Sequence, residues 1–242
     1  MIMHPSIVLS FVVLFSSVQT FRLMAEEVPV PQPVIPLAEL AAEHPADNST
    51  QKELELEHIR SVAALRRWGS PQAPLQAELV IDINCAHCGD IFVPTFVALE
   101  PSLTAQKISV NVRWILRPTE PAARDLVMHV LSASDVDQCR LLGSLLIGTP
   151  AGRNWRMMRT RLSEIINPDA IEQRYAEVKS AIEVVLQRDA EWLSVHSVVQ
   201  VPTFIVFNAD GLEVKRWSGK DFNLAEIQAF IAENSGNLRH NP

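Results

Sequence analysis

Cys85 and Cys88 stand three positions apart in "VIDINCAHCGDIF", residues 80–92, with His87 between them. Three chemistries fit that spacing. The cysteines can form a redox couple. They can join His87 in a metal site. They can also be two inert buried thiols. A structural zinc site takes four ligands, usually from two paired clusters. The chain has no second Cys or His pair: His58, His129 and His196 are scattered singly, and nothing near Cys139 helps. The redox couple is therefore the first reading, with the metal site and the inert thiols kept as alternatives.

The flanking residues say where the pair must sit. Leu79–Ile83 is a mostly apolar run, as expected of a strand buried on both faces of a sheet. Residues 88–99 are apolar with a helical period and carry Pro94, which should kink the helix. Cys85 thus falls where a strand ends and a helix begins. Free N–H groups and the helix dipole stabilise an anion there, and a thiolate is such an anion. Cysteines in Cys-x-x-Cys sites of this kind titrate at about 3.5–7 rather than about 8.5. A thiol at about 8.5 is about 3% ionised at neutral pH, and one at about 6 is about 90% ionised. Cys85 is expected to be the exposed attacking sulfur and Cys88, one turn in, the more buried resolving sulfur. His87 adds a donor or positive charge that favours the thiolate. Favouring the thiolate stabilises the reduced form and makes the disulfide more oxidising.

A second stretch, "VVQVPTFIVFNADGLEVKRWSG", residues 198–219, reads as a hairpin: strand Thr203–Phe207, the turn "NADG", then "LEVKRW". An amphipathic helix follows, with Asn223 as cap, Glu226 three residues on and Gly236 as stop. In "KISVNVRWIL", Ile108, Val110, Val112 and Trp114 alternate with Lys107, Ser109, Asn111 and Arg113, a strand period. From about Thr119 to Val198 the pattern is helical, in three or four segments with Pro121, Pro150 and Pro168 near their starts. Cys139 lies in this insert among Val136, Leu142 and Leu146, a setting for a buried, inert thiol. Arg153, Arg156, Arg159 and Arg161 read as a solvated helix face, and Trp155 and Met157–Met158 as core.

The order strand, Cys-x-x-Cys, helix, strand, helical insert, "VPTF", hairpin and helix resembles the thioredoxin superfamily in its DsbA-like form, over residues 71–236. "SPQAP…VIDINCAHC" is similar to that family's first strand, including an acidic residue three before the first cysteine, here Asp82. The resemblance implies an α/β thioredoxin-like fold whose two sheet halves are separated by the insert. It implies that Pro202 is a cis residue, and that Val201 and Pro202 lie against Cys85 and bind an extended client backbone. It implies thiol–disulfide exchange on protein substrates through Cys85, Cys88 and His87, with no cofactor and with a membrane partner that recycles the cysteines. The other reading is a non-enzymatic thioredoxin-fold module holding a metal ion or a client. The chain departs from the family at Leu79, where a buried acid often lies six residues before the first cysteine.

The remaining residues bound the setting. A 242-residue chain that is 48% hydrophobic can bury a core. A net charge of −7 argues against nucleic acid. Three cysteines are too few for a disulfide-stapled scaffold. Ser6–Val18 is an apolar run of signal-peptide length, with a candidate cleavage point after Ala25 and an uncleaved anchor running to Met24 as the alternative. "EEVPVPQPVIP", residues 26–36, reads as an extended proline-rich spacer within a linker that runs to residue 50. A capping box, Thr50 to Glu53, opens a helix expected over 51–69, with Leu56, Ile59, Val62 and Ala63 on one face and Gly69 as stop. The reading is an exported protein of the periplasm or bacterial envelope.

Overall fold

The computed structural model describes residues 48–117, 119–148 and 155–235. The apolar run, its cleavage point and the proline-rich spacer lie outside the described residues, as do Pro150, Arg153 and Gly236. In chain order the elements are α1 (Asn48–Leu65), β1 (Arg67–Trp68), β2 (Leu75–Ile81), α2 (Ala86–Thr104), β3 (Ile108–Trp114), α3 (Pro121–Val130), α4 (Val136–Leu146), α5 (Trp155–Leu162), α6 (Pro168–Val195), β4 (Thr203–Phe207), β5 (Glu213–Ser218) and α7 (Leu224–Asn234). Among the described residues the strands make one five-stranded sheet in the order β1-β3-β2-β4-β5. β2 and β3 are parallel and joined by α2, whereas β4 enters antiparallel to β2 and turns back as β5. This is the α/β architecture expected, with α3–α6 inserted between the two halves of the sheet.

β2 is central and covered on both faces. Leu75, Ala77, Leu79 and Ile81 pair in register with Ile108, Val110, Val112 and Trp114, and all eight are buried. On their side α2 brings Phe92 to 6.5 Å from Trp114 and Phe96 to 4.5 Å from Trp68, between ring centroids. Burying each such side chain stabilises the fold by about 1.5–3 kcal/mol. α7 covers the hairpin on the same side, where Phe204, Trp217 and Phe230 form a chain of ring contacts. α2 runs on through Pro94 and also contains Pro101. Asn223 caps α7 by accepting the N–H groups of Ala225 and Glu226.

The other face of β2 and β3 is polar, yet it is also buried. The alternation in β3 is real, but Ser109 and Asn111 are buried. α6 is the reason. It carries the fully buried Asp189, which accepts from Arg113 at 2.6 Å and also from Arg66. Arg113 reaches Glu78 as well, at 2.9 Å, and stacks over Trp192 at 4.2 Å. Two carboxylates and two guanidiniums therefore share one buried site. Burial pushes the Glu78 carboxyl up and outweighs the opposing pull of Arg113, Asn111 and Arg66.

α1 differs from the expected helix. It begins at Asn48, which places Thr50 and Glu53 inside it, and it ends at Leu65. Arg67–Trp68 is instead an edge strand paired with Asn111 and Val110. Trp68 is buried beside Phe96, and that packing overrides helix propensity. Gly69 has φ +86°, and a Cβ there would lie 2.7 Å from the Ile108 carbonyl oxygen. Ile59, Val62 and Leu65 form the buried stripe of α1, while Leu56 is exposed.

Removing Asp189 would leave the buried Arg66 without a carboxylate and Arg113 with Glu78 alone. Asp189→Ala is expected to cost about 3–5 kcal/mol in urea unfolding. A loss under about 1 kcal/mol would mean that water already screens the cluster. Glu78 gives a pH test. Its folded pKa lies above the ordinary value, so its stabilising contribution is present at low pH and lost as pH rises through the folded pKa. Relative to wild type, Glu78→Gln should gain stability as pH rises above the ordinary carboxylate range. A difference independent of pH would contradict the burial effect.

Candidate active site

Asp82 folds the end of β2 into a turn. Its carbonyl accepts the Cys85 N–H at 3.0 Å, and its Oδ1 accepts the Asn84 N–H at 2.9 Å. The turn delivers Cys85 as the N-cap of α2, with extended backbone at φ −81° and ψ 115°. Cys85 Sγ accepts the Cys88 N–H at 3.2 Å, and the Cys85 carbonyl accepts the Gly89 N–H at 3.1 Å. The sulfur thus takes the place that a Ser or Asp oxygen fills at an ordinary helix cap, and it meets an N–H that α2 cannot satisfy itself.

The two cysteines, both free thiols, have different surroundings. Cys85 is half-buried and Cys88 fully buried. Burial pushes the Cys88 thiol well above its ordinary range, and the hydrogen bond it shares with Cys85 adds to the rise. His87 is exposed on the first turn of α2.

The Val201–Pro202 peptide bond is cis. Val80 pairs with Thr203, so Pro202 enters the sheet at the end where β2 leaves it for Cys85. Pro202 is buried, and its carbonyl accepts the Gly219 N–H at 2.8 Å. Val201 is half-buried, and its backbone N–H and C=O make no hydrogen bond among the described residues.

Leu79 is fully buried on the α2 side of the sheet, and Glu78 points into the charge cluster on the other side. The carboxylate whose charge reaches Cys88 is Asp82, 2% exposed and 3.3 Å from the largely exposed Arg117. Asn84 donates to Glu120 at 2.8 Å. In the sequence, Asp82 stood out only through the resemblance. Asn84, Arg117 and Glu120 were missed, because "RPTE" follows β3 with no periodicity to assign its side chains to a partner.

No family model matches the chain, and neither does any curated protein. Solved structures do. Wolbachia pipientis alpha-DsbA1 is 14% identical at TM-score 0.57, over 83% of this chain and 96% of that one. Chlamydia trachomatis DsbA is 16% identical at TM-score 0.53, over 72% and 93%. Bacillus subtilis BdbD in its oxidised form is 13% identical at TM-score 0.55, over 71% and 93%. The fold is DsbA-like.

In this fold the insert reaches the cysteine turn directly. The Gly148 N–H, just past α4, donates to the Ile83 carbonyl at 2.7 Å. Cys139 lies in α4, buried at 3% exposure, and burial pushes its thiol up to about 12. On α5, Trp155 and Met158 are core as expected, whereas Met157 is half-exposed. Arg159 pairs with Asp169, and Arg156 and Arg161 face solvent. Among the described residues no three His, Cys, Asp or Glu side chains form a group able to hold a metal ion. No described helix is long and apolar enough to cross a membrane.

A thiol-directed alkylating agent reads these environments. With its pKa raised to about 12, Cys139 is ionised to about one part in 100,000 at neutral pH. In the native reduced protein Cys85 should label first at about pH 7, and Cys139 only after unfolding. Native labelling of Cys139 at the rate of Cys85 would show that the insert opens readily.

Proposed function

We propose that the chain is an exported thiol–disulfide oxidoreductase that acts on protein substrates. One observation carries the reading: a half-exposed sulfur caps a helix and accepts its free N–H, with a fully buried partner sulfur one turn in. Cys85 Sγ lies half-exposed at the helix terminus with the Cys88 N–H donated to it, whereas burial disfavours charge on Cys88. Cys85 is therefore the nucleophile and the sulfur that joins the client in a mixed disulfide. Cys88 resolves that disulfide by attacking Cys85 Sγ, which releases the client sulfur as a thiolate. His87 adds an exposed donor beside the reduced site.

The client-binding role falls to Val201 and Pro202. An extended client segment needs backbone partners, and the Val201 N–H and C=O are free to pair with it. The cis bond belongs to the loop that carries them. The redox-active group is the cysteine pair itself, so each turnover leaves it in the wrong oxidation state. A recycling partner must restore it, and for an envelope protein we place that partner in the membrane. The likeness in fold to DsbA proteins supports the exported, envelope setting.

Trapping tests the assignment. Cys88→Ser should accumulate mixed disulfides with client proteins on non-reducing gels, and Cys85→Ser should not. Equal trapping by both variants would reverse the roles or remove them. A chain with bound metal after purification and no activity in an insulin-reduction assay would instead be the binding module.

A further inference from the structure

The residue after Cys88 is Gly89, and it meets the insert backbone to backbone. A Cβ built on Gly89 would lie 3.2 Å from the Gly148 Cα and 3.3 Å from the Ile147 carbonyl oxygen. A Cβ built on Gly148 would lie 3.3 Å from the Gly89 Cα, and Gly148 has φ +72°, where a side chain is strained. Gly148 also donates its N–H to the Ile83 carbonyl at 2.7 Å, two residues before Cys85. The insert therefore touches the cysteine turn on both sides: through a hydrogen bond ahead of Cys85 and through bare backbone behind Cys88. Neither contact leaves slack, because both are made by main-chain atoms. Building on the exchange function proposed above, we infer that Gly89 and Gly148 are positioning residues that hold Cys85 and Cys88 in register and set their redox equilibrium from the helical insert.

The physical route is short. A methyl on Gly89 must push the first turn of α2 away from Gly148, because the atoms it meets are backbone and cannot rotate aside. The Cys88 N–H belongs to that turn and donates to Cys85 Sγ at 3.2 Å. Moving it weakens the hydrogen bond to a thiolate, so the reduced form is disfavoured and the disulfide becomes less oxidising. Gly143 provides a control. A Cβ there would meet the Phe92 ring at 3.2 Å, which is equal crowding between the same insert and the same helix, but against a side chain.

The experiment equilibrates the full chain with glutathione. Two thiols lose two electrons and two protons to form the Cys85–Cys88 disulfide, and one glutathione disulfide becomes two glutathione thiols. Written as the tendency of the protein disulfide to oxidise glutathione, the equilibrium constant should fall about threefold to tenfold in Gly89→Ala. Gly148→Ala should move it in the same direction, and the double variant should fall short of the product of the two single effects. Gly143→Ala should lower the melting temperature while leaving the constant within about twofold. Folded Gly89→Ala and Gly148→Ala variants with the wild-type constant would overturn the inference. So would a Gly143→Ala shift as large as theirs. Where the glycine variants do not fold, the wild type decides: protection of the Gly148 N–H from hydrogen exchange should differ at least about threefold between the oxidised and reduced forms. Equal protection would overturn the inference. A wild type that never forms the Cys85–Cys88 disulfide overturns the exchange function itself, and this inference with it.

Discussion

Two sulfurs three residues apart must experience different dielectrics, and the end of β2 is what makes that arrangement available. A strand buried on both faces delivers the chain to the edge of the core, and the Asp82 turn stops it there. Cys85 then belongs to the surface and Cys88 to the interior, although less than one helical turn separates them. If the helix began one residue later, Cys85 would no longer be the cap, and the Cys88 N–H would lose its sulfur acceptor. The other elements hold that junction still. β3 and β4 flank β2, and the antiparallel entry of β4 brings the cis Val201–Pro202 loop to the same end of the sheet.

The charges under the sheet answer a different need. α6 is 28 residues long and closes the face opposite α2, yet that face of β3 carries Ser109, Asn111 and Arg113. An apolar helix laid over those residues would leave their donors unpaired, at a cost of about 1–3 kcal/mol each. Asp189 and Glu78 supply the acceptors for Arg113 and Asn111 instead, and Gln76 supplies the one for Ser109. Such a cluster adds little over a well-packed apolar contact, but it admits few alternative registers. It also keeps Glu78 away from the cysteines. The carboxylate whose charge reaches Cys88 belongs instead to Asp82, part of the turn rather than of the strand.

Much of this architecture was legible in the residues. The junction at Cys85 followed from an apolar run that changes to a helical period, and the hairpin followed from "NADG" between two β-type runs. The insert showed its helices through periodicity and N-terminal prolines, and Pro121 and Pro168 do occupy first turns. What stayed hidden was set by contacts distant in sequence. Arg67–Trp68 looked helical because it continued α1, and only Phe96 and β3 reveal that it is a strand. Arg113 finds its partners in Asp189 and Trp192, about 80 residues later, and no local pattern encodes such a partner. Gly148 likewise carries no local sign of its neighbour in space, Gly89.

The fold is shared with a solved structure at 14% identity, so its geometry does not depend on most individual side chains. The energy scale explains why geometry and redox potential can separate. About 30 mV of reduction potential corresponds to about 1.4 kcal/mol, roughly one hydrogen bond to a thiolate. The hydrophobic contacts that keep β2 beneath α2 sum to many times that amount, so the architecture tolerates wide exchange of side chains. The potential has no such margin. Under the proposed exchange function it rests on the few groups around the two sulfurs: the Cys88 N–H on Cys85 Sγ, the Asp82 carboxylate with Arg117 against it, and the backbone contact of Gly89 with Gly148. Each of these can change without disturbing the core. Under the exchange function proposed above, the direction of electron flow is therefore set at this turn rather than by the sheet beneath it.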